Sequence, residues 1–284
     1  MKKPVPAALE PGLYLVSTPI GNLRDVTLRA LDVLGAADLV VCEDTRVTGK
    51  LLEAFDLKKK MLPYNDHNAG RQRGPIIEAI SGGQAVAMVS DAGTPLVSDP
   101  GFKLVRDCLD LGLTVTSVPG ANAPLAALQL SGLPSDRFVF LGFLPPKQQA
   151  RRTALQEWAA VKATLVIFET GPRLQESLAD MADVLGARTA AVVREITKKF
   201  EESRRGLLPH LAAHYETEGP PKGEIVIVIG PPEEERVSDE TLEAQLRRAL
   251  KSMSVRDAAA FVAQASGESK KKIYDMALNL ADEK

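Results

Sequence analysis

The sequence predicts an α/β protein with two lobes and a small C-terminal helical appendix. Short apolar runs alternate with segments of helical periodicity, which is typical of strands joined by crossover helices. This alternation runs through residues 12–120 and again through residues 137–232, after which the sequence becomes polar and helical. A chain of 284 residues also has about the length of two domains.

The first lobe, residues 12–120, is predicted to hold a parallel sheet. Its apolar runs predict strands at residues 12–18, 38–42, 85–89 and 114–118. Helices are predicted at residues 25–35, with Gly35 as the stop signal, and at residues 75–80 and 102–111. Residues 90–101, SDAGTPLVSDPG, form the predicted loop between the third strand and its helix.

The second lobe, residues 137–232, repeats the rhythm after an Ala- and Leu-rich connector at residues 121–136. Strands are predicted at residues 138–141, 164–168, 190–193 and 223–230, and helices at residues 149–162, 173–185 and 207–214. The appendix, residues 237–284, is predicted to contain three helices at residues 242–251, 255–265 and 269–279, in the manner of a helix-turn-helix unit. Asp239 and Ser254 are predicted to cap the first two.

The composition excludes several classes of protein. The net charge of -2 and the isoelectric point of about 6.0 are not those of a strongly basic nucleic-acid binder, so any such contact must use local patches. No apolar run approaches the ~20 residues of a membrane span, and the N-terminus lacks the apolar core of a signal peptide, so we expect a cytoplasmic protein. Two cysteines in unrelated contexts and three scattered histidines predict no metal site.

The strongest candidate for a ligand site is the loop at residues 90–101. In open α/β sheets ligands bind beyond the carboxyl ends of the strands, and this loop follows the third strand. Gly93 permits close approach of the backbone, while Asp91 and Asp99 offer acceptors to a hydroxyl, an amine or a sulfonium. An ordinary tight turn is the alternative. The glycine patterns of dinucleotide-binding proteins and P-loop nucleotidases are absent from the sequence.

Polar side chains also follow the second strand. Glu43 and Asp44 place two carboxylates beside Arg46, and His67 lies in a polar loop that we expect at the same edge. A carboxylate there can accept a proton and an arginine can bind phosphate, although a purely structural ion pair is an equal alternative.

Several motifs, taken in order, resemble one known family. They are TPIGNL at 18–23, EDTR at 43–46, DHN at 66–68, VSDAGTPLVSDPG at 89–101, GLPSDRF at 132–138, GFLP at 142–145, REITK at 194–198 and KKKIY at 270–274. Together they resemble the ribosomal RNA small subunit methyltransferase I family, within the tetrapyrrole methylase superfamily. The resemblance runs from about residue 12 to residue 232 and includes the basic tail. Pro172 departs from it, since the family pattern has a histidine there.

The resemblance implies an enzyme that uses S-adenosyl-L-methionine, bound in a cleft between two α/β lobes, and that usually forms a homodimer. It implies 2'-O-methylation of a cytidine ribose in the decoding region of small-subunit (16S) RNA, with the assembled 30S subunit as the partner. By matching position, the residues that bind the cofactor would be Thr18, Pro19, Asp91, Ala92, Gly93, Thr94, Pro119, Gly120, Phe143, Leu144, Pro145, Glu169, Arg194 and Glu195.

Proton transfer and RNA binding require further residues. The candidates for accepting the ribose proton are, in order, Asp44, Glu43 and His67. The candidates for contacting RNA phosphates are Arg24, Arg29, Arg46, Lys270, Lys271 and Lys272. Two alternatives stay open at this point. One is a related methyltransferase acting on a small molecule, and the other is a ribosome-binding factor without enzymatic activity.

Overall fold

The computed structural model describes residues 8–232 and 239–282. The chain divides into two compact units, Met1–Pro232 and Glu233–Lys284. The first unit contains two five-stranded sheets, which we call the first and second lobes, and the described part of the second unit is helical. The α/β class with a helical appendix is therefore confirmed.

The first lobe is an entirely parallel sheet. Its strands are β1 (Gly12–Val16), β2 (Leu39–Cys42), β3 (Met61–Pro63), β4 (Ala85–Val89) and β5 (Val115–Val118), in the order β3-β2-β4-β1-β5. Alternate residues of β4 enter different apolar clusters, since Ala87 packs with Val16 and Val86 packs with Leu13. Both faces of the sheet are thus covered, as parallel sheets require. The covering helices are α1 (Leu28–Ala36), α2 (Thr45–Ala54), α3 (Ala69–Ser81) and α4 (Phe102–Asp110).

The second lobe is a mixed sheet. Its strands are β6 (Phe138–Phe143), β7 (Thr164–Thr170), β8 (Thr189–Arg194), β9 (Glu202–Leu207) and β10 (Glu224–Ile229), in the order β6-β7-β10-β8-β9. Only β6 and β7 run parallel. Helices α6 (Gln148–Gln156), α7 (Gly171–Leu185) and α8 (Leu208–Glu218) supply residues to the apolar cluster on one face, and α5 (Ala123–Ser131) packs on the other.

Strand β3 and the helices and strand discussed next were not predicted from the sequence, and α2, β9 and α5 each have a physical reason for this. Helix α2 begins within the EDTR motif, so its polar first turn hides it in the sequence. Strand β9 is charged because it lies at the sheet edge, where charged side chains suit a strand that is paired on one side. Helix α5 occupies most of the predicted connector, because Ala127 and Leu128 bury themselves against the second sheet.

The prediction that Gly35 stops the first helix is wrong. Asp25 ends a short 3-10 turn, Leu23–Asp25, and α1 begins only at Leu28, after Thr27 accepts a hydrogen bond from the Ala30 amide. The helix then continues through Gly35 to Ala36. Glycine is tolerated inside a helix at a cost of about 1 kcal/mol, which the buried Leu31 and Leu34 on the same helix offset.

The second unit consists, in its described part, of α9 (Asp239–Ala249), α10 (Val255–Ser266) and α11 (Lys270–Asp282). Its own core is formed by Leu242, Leu246, Ala258, Val262, Ile273 and Ala277. The predicted cap of α10 is confirmed, because the Ser254 hydroxyl accepts a hydrogen bond from the Asp257 amide at 3.2 Å. Asp239 already belongs to α9 rather than preceding it. The predicted start at residue 237 and most of the predicted N-terminal arm lie outside the described residues.

Candidate active site

A cavity of about 260 Å³ lies between the two lobes, beyond the carboxyl end of β4. The first lobe lines it with residues of the loop at 90–101. Facing this loop are the start of α5 and residues from β6, β7 and β10. Its walls include Gly93, Thr94, Asp99, Phe143, Glu169 and Ile225. The loop singled out in the sequence is therefore one wall of the cavity, at the sheet edge where ligands of α/β proteins bind.

The start of the loop is held by the segment that follows β1. The Thr18 amide donates to the Gly93 carbonyl at 2.8 Å, and the Gly93 amide donates back to the Thr18 carbonyl at 3.1 Å. The buried Thr18 hydroxyl donates to the Ser90 carbonyl at 3.1 Å. Gly93 has a φ of 84°, and a Cβ added there would lie 3.2 Å from Ile20. This close packing explains the glycine.

Thr94 connects the loop to α5. Its hydroxyl donates to the Ala121 carbonyl at 3.2 Å and accepts a hydrogen bond from the Asn122 amide group at 3.2 Å. Asn122 also caps α5, since its side-chain oxygen accepts from the Leu125 amide at 3.0 Å. Because α5 packs on the second sheet, these bonds fix the loop of the first lobe relative to the wall supplied by the second.

The middle of the loop has an unusual backbone. Leu96 and Ser98 adopt φ values of 71° and 65°, and Gly101 adopts 136°. Left-handed conformations of residues other than glycine cost about 1–3 kcal/mol and concentrate at functional sites. Asp99 lies within this segment and lines the cavity. Burial raises the pKa of the Asp99 carboxyl to about 6, and the nearby Asp91 carboxylate adds to the increase while a Ser90 hydrogen bond opposes it.

A separate depression on the first lobe gathers the polar candidates from the sequence. It is lined by Glu43, Asp44, Arg46, His67 and Asp91, together with Thr45, Pro63 and Asn65. Asp91 is the link to the cavity, because the next residue along the chain, Ala92, lines the cavity itself. The Asp91 carboxylate accepts a hydrogen bond from the Asp44 amide at 3.0 Å, which ties the loop to the end of β2.

The two adjacent carboxylates differ in proton affinity. Asp44 caps α2 by accepting from the Arg46 amide at 2.8 Å, and it forms an ion pair with the Arg46 guanidinium at 2.6 Å. Hydrogen bonds from Arg46 lower the pKa of Asp44 to about 2. Burial raises the pKa of Glu43, and the carboxylates of Asp91, Asp99, Asp66 and Asp44 raise it further. Glu43 is thus the better proton acceptor of the pair.

The second lobe supplies an aromatic wall and a buried acid. The Phe143 side chain is 53% exposed and lies 5.4 Å from Phe168, measured between ring centroids. Glu169 is buried; it accepts hydrogen bonds from the Thr170 amide and the Ser177 hydroxyl and lies 3.3 Å from the Arg173 guanidinium. An exposed ring and negatively charged groups around a largely apolar cavity suit a ligand that is both planar and cationic.

Several predicted cofactor residues support the walls without lining the described cavity. Leu144 packs into the core of the second lobe. Arg194 pairs with Glu202 at 2.7 Å, and Glu195 pairs with Lys198 at 2.8 Å. Thr18 and Pro19 follow β1, and Pro119 and Gly120 follow β5. Asp91 lines the depression, and Pro145 is next to Leu144 in the chain. The predicted residues that do line the cavity are Ala92, Gly93, Thr94, Phe143 and Glu169.

Sequence reasoning missed part of the second-lobe wall. Ile196, Glu224 and Ile225 line the cavity from the turn after β8 and from β10. The turn after β8 is tightly held: Glu195 and Thr197 have positive φ, and Lys198 pairs with Glu224 at 2.9 Å. The sequence signals for this contact are the motif REITK at 194–198 and the glycine at position 21. A Cβ added there would lie 2.5 Å from the Lys198 side chain, so the first-lobe turn packs directly on it.

The predicted RNA-binding residues are placed on the surface. Arg24 is exposed, and the Arg46 side chain is 86% exposed while pairing with Asp44. Arg29 donates to the Ser117 carbonyl. In the second unit Lys270 and Lys271 are exposed, and Lys272 lies 3.5 Å from Glu268. The described residues contain no cluster of three His, Cys, Asp or Glu side chains suited to a metal, and no helix of this part could cross a bilayer.

Two known families match this chain, one in each of its two compact units. Residues 12–212 match the family of Tetrapyrrole (Corrin/Porphyrin) Methylases, and residues 236–281 match the RsmI C-terminal HTH domain. Ribosomal RNA small subunit methyltransferase I of Mesorhizobium japonicum is 50% identical over 275 residues, which cover 96% of this chain and 94% of that protein. The protein of the same name from Erythrobacter litoralis is 53% identical and covers 96% of both chains.

Solved structures agree on the fold. Uroporphyrin-III C-methyltransferase from Thermus thermophilus, in complex with S-adenyl homocysteine, superimposes with a TM-score of 0.54 at 21% identity. The match covers 77% of this chain and 97% of that one. The two chains therefore share their fold across nearly the whole of that enzyme.

Proposed function

The chain belongs to the tetrapyrrole methylase family and, within it, to the ribosomal RNA small subunit methyltransferase I proteins, and from this premise we propose its reaction. It is an S-adenosyl-L-methionine-dependent methyltransferase that acts on 16S ribosomal RNA. The methyl group goes to the 2'-hydroxyl of a cytidine ribose in the decoding region. The proposal rests on the sequence identity of 50% and 53% to two ribosomal RNA small subunit methyltransferase I proteins over nearly the whole chain. The cavity between the two lobes agrees with it.

The cavity has the properties needed for this methyl donor. S-adenosyl-L-methionine supplies a methyl group activated by a positively charged sulfur. Ala92, Gly93 and Thr94 present the backbone of a closely packed loop, and the exposed ring of Phe143 offers a flat surface. The acid Glu169 supplies negative charge. Thr18, Pro19, Asp91, Pro119, Gly120, Leu144, Pro145, Arg194 and Glu195 act in this proposal by supporting the cavity walls.

The depression next to the cavity is proposed to receive the acceptor nucleotide. Methyl transfer to an activated donor is governed mainly by alignment of the acceptor oxygen. Glu43, Asp44 and His67 face the depression from two loops, so they can contact the ribose or its neighbours. Of the two carboxylates, Asp44 has the smaller tendency to take a proton, because its pKa is lowered to about 2, and Glu43 has the larger because its pKa is raised.

RNA recognition is proposed to use exposed cations in both units. Arg24, Arg29 and Arg46 lie on the first lobe, and Lys270, Lys271 and Lys272 lie on α11. Their contacts with phosphates give binding energy that decreases as salt rises. The substrate is proposed to be the assembled 30S subunit, and the enzyme a cytoplasmic homodimer, as the family resemblance implies.

The decisive experiment is nucleoside mass spectrometry of 16S RNA from a strain lacking this gene. We expect loss of one 2'-O-methylated cytidine, restored by a plasmid copy of the gene. Purified protein should transfer labelled methyl groups to 30S subunits from that strain. An unchanged methylation pattern would contradict the proposal, and transfer to a tetrapyrrole but not to RNA would favour the small-molecule alternative.

A further inference from the structure

Asp99 lies in a segment whose neighbouring residues have unusual, left-handed backbone conformations. Ser98, immediately before it, has a φ of 65°, and Gly101, two residues later, has a φ of 136°. A Cβ added at Gly101 would lie 2.6 Å from the Met88 side chain, so the loop is packed tightly onto β4. Strain of this kind persists only where the surroundings determine the conformation.

The same segment reaches the second lobe. A Cβ added at Gly142 on β6 would lie 3.2 Å from the Ser98 hydroxyl, so the two lobes approach closely beside Asp99. Ser98 and Asp99 both line the cavity, as does Phe143 across from them. Asp99 is thus held where the cofactor wall of the first lobe meets the second lobe.

In the part of the chain that the structure describes, the charged groups that interact with Asp99 are other carboxylates. Asp91 on its own loop and Glu43 after β2 interact with it as like charges. From the second lobe, Glu169 and Glu224 line the same cavity, but Arg173 engages Glu169 and Lys198 engages Glu224. Within the described residues no salt bridge is formed to Asp99. It therefore differs from Asp44, whose carboxylate is occupied by Arg46.

We propose that Asp99 accepts the proton of the acceptor hydroxyl during methyl transfer. This inference rests on the proposed function. The hydroxyl oxygen forms a bond to the methyl carbon, the carbon–sulfur bond breaks with its electron pair left on sulfur, and the hydroxyl proton passes to an Asp99 carboxylate oxygen. No oxidant or reductant takes part.

Asp99 lies on the donor side of the site, in the same loop as Asp91, which lines the depression proposed for the acceptor nucleotide. The acceptor oxygen must lie in line with the methyl group, and a base must be within hydrogen-bond reach of that oxygen. Asp99 lines the cavity that would hold the donor, whereas Glu43, Asp44 and His67 line the neighbouring depression. A carboxylate with a pKa of about 6 is also mostly ionised at neutral pH and still basic enough to take a proton.

The test compares wild-type protein with Asp99→Asn and Asp99→Glu, in full-length form. Single-turnover methylation of 30S subunits from the deletion strain is measured at saturating cofactor from pH 5 to pH 9, and cofactor affinity is measured by calorimetry. Asp110→Asn, which removes an exposed carboxylate on α4, is the matched control. We expect Asp99→Asn to bind cofactor within a few-fold of wild type and to be slower by roughly 100-fold or more, as loss of a general base predicts.

The pH profile separates proton transfer from a structural role. The wild-type rate should fall on acidification with a midpoint set by Asp99, whose pKa is about 6 in the free protein; in the complex the sulfonium charge lowers this pKa, while burial by bound cofactor and RNA raises it. Asp99→Glu should keep an acidic limb and part of the rate, and Asp99→Asn should lose the limb. A wild-type rate in Asp99→Asn, or a rate loss fully explained by weaker cofactor binding, would overturn the inference. Absence of methylation by the wild type would instead reject the proposed function.

Discussion

Two aspartates of one site show how local contacts set the proton affinity of a residue. Asp44 accepts hydrogen bonds from Arg46, which favour its charged form. Asp99 is partly buried and has like charges nearby, which disfavour its charged form. Their pKa values therefore move in opposite directions, to about 2 and about 6. Such a separation is typical of catalytic sites, where one acid is fixed as an anion and another exchanges its proton.

The raised pKa of Asp99 has a consequence for stability. The folded state binds this proton more tightly than the unfolded chain, so the stability that Asp99 contributes is present below its ordinary pKa of 3.8 and lost as the pH rises through about 6. The difference in free energy of unfolding between Asp99→Asn and the wild type should therefore change in favour of the variant as the pH rises from 4.5 to 7.5. The expected change is on the order of 1 kcal/mol after solvent screening is allowed for. Urea unfolding at both pH values measures it, and a gain that is equal at both would contradict the assignment.

At Gly171 the Pro221 carbonyl leaves no room for a side chain. Gly171 begins α7, and a Cβ added there would collide with the Pro221 carbonyl. Gly171→Ala should destabilise the first unit by about 1–3 kcal/mol, because the backbone must shift to relieve the overlap. The control is Gly70→Ala in α3, where nothing lies within 4 Å of an added Cβ. That change should be neutral or stabilise by up to about 1 kcal/mol. Equal unfolding midpoints for both variants would refute the explanation.

At the scale of elements, the residues that cap two helices also bind the loop of the candidate site. Asp44 begins α2 and Asn122 begins α5, and both residues also bond to the loop at 90–101. A change in either cap therefore affects both a helix and the cavity wall. This coupling holds the first part of the loop, from Asp91 to Thr94, on helix starts that are stable for other reasons.

The cap of α10 allows an element to be tested in the second unit. Ser254 accepts from the Asp257 amide and donates to the Asp257 carboxylate at 2.7 Å. Ser254→Ala should destabilise α10 by about 1 kcal/mol, because an amide at the helix start loses its partner. Hydrogen exchange of the α10 amides should become faster while that of β4 does not change. Ser252→Ala, two residues earlier, is the control, and similar exchange in both variants would argue against the cap.

At the scale of the whole molecule, the chain carries a net charge of -2 and still presents cations locally. Lys270 and Lys271 lie exposed at the start of α11, in a unit that has its own core. Local charge on a separate unit allows RNA contact to be changed without altering the cavity of the first unit.

Reversal of these charges should weaken RNA binding only. Lys270→Glu with Lys271→Glu is expected to reduce affinity for 30S subunits and to reduce the slope of log affinity against log salt by about 2, because each lysine would neutralise one phosphate. Affinity for S-adenosyl-L-methionine should be unchanged. The paired Lys→Arg variant keeps the charge and is the control. An unchanged salt slope in the Glu variant would place RNA recognition elsewhere.

Much of the fold could be predicted from the sequence because apolar periodicity is local. Strand β4 matches its predicted bounds, and the strands at residues 12–18 and 164–168 are shifted only at one end. Polar and edge elements could not be predicted in the same way. Strand β9, sequence ESRRGL, becomes a strand only because β8 offers it an antiparallel partner.

The residues of the candidate site also divide into those that could be predicted from the sequence and those that could not. The α/β class, a candidate ligand site at the loop 90–101 and a polar cluster at the end of β2 are predicted from the sequence, because they follow from order along the chain. The structure adds that the loop lines a cavity, that Asp91 links the depression to it, that Glu224 and Ile196 complete the far wall, and that the pKa of Asp99 is raised. The reason is physical: burial and the distance between charges depend on which elements pack together, and no local pattern records them.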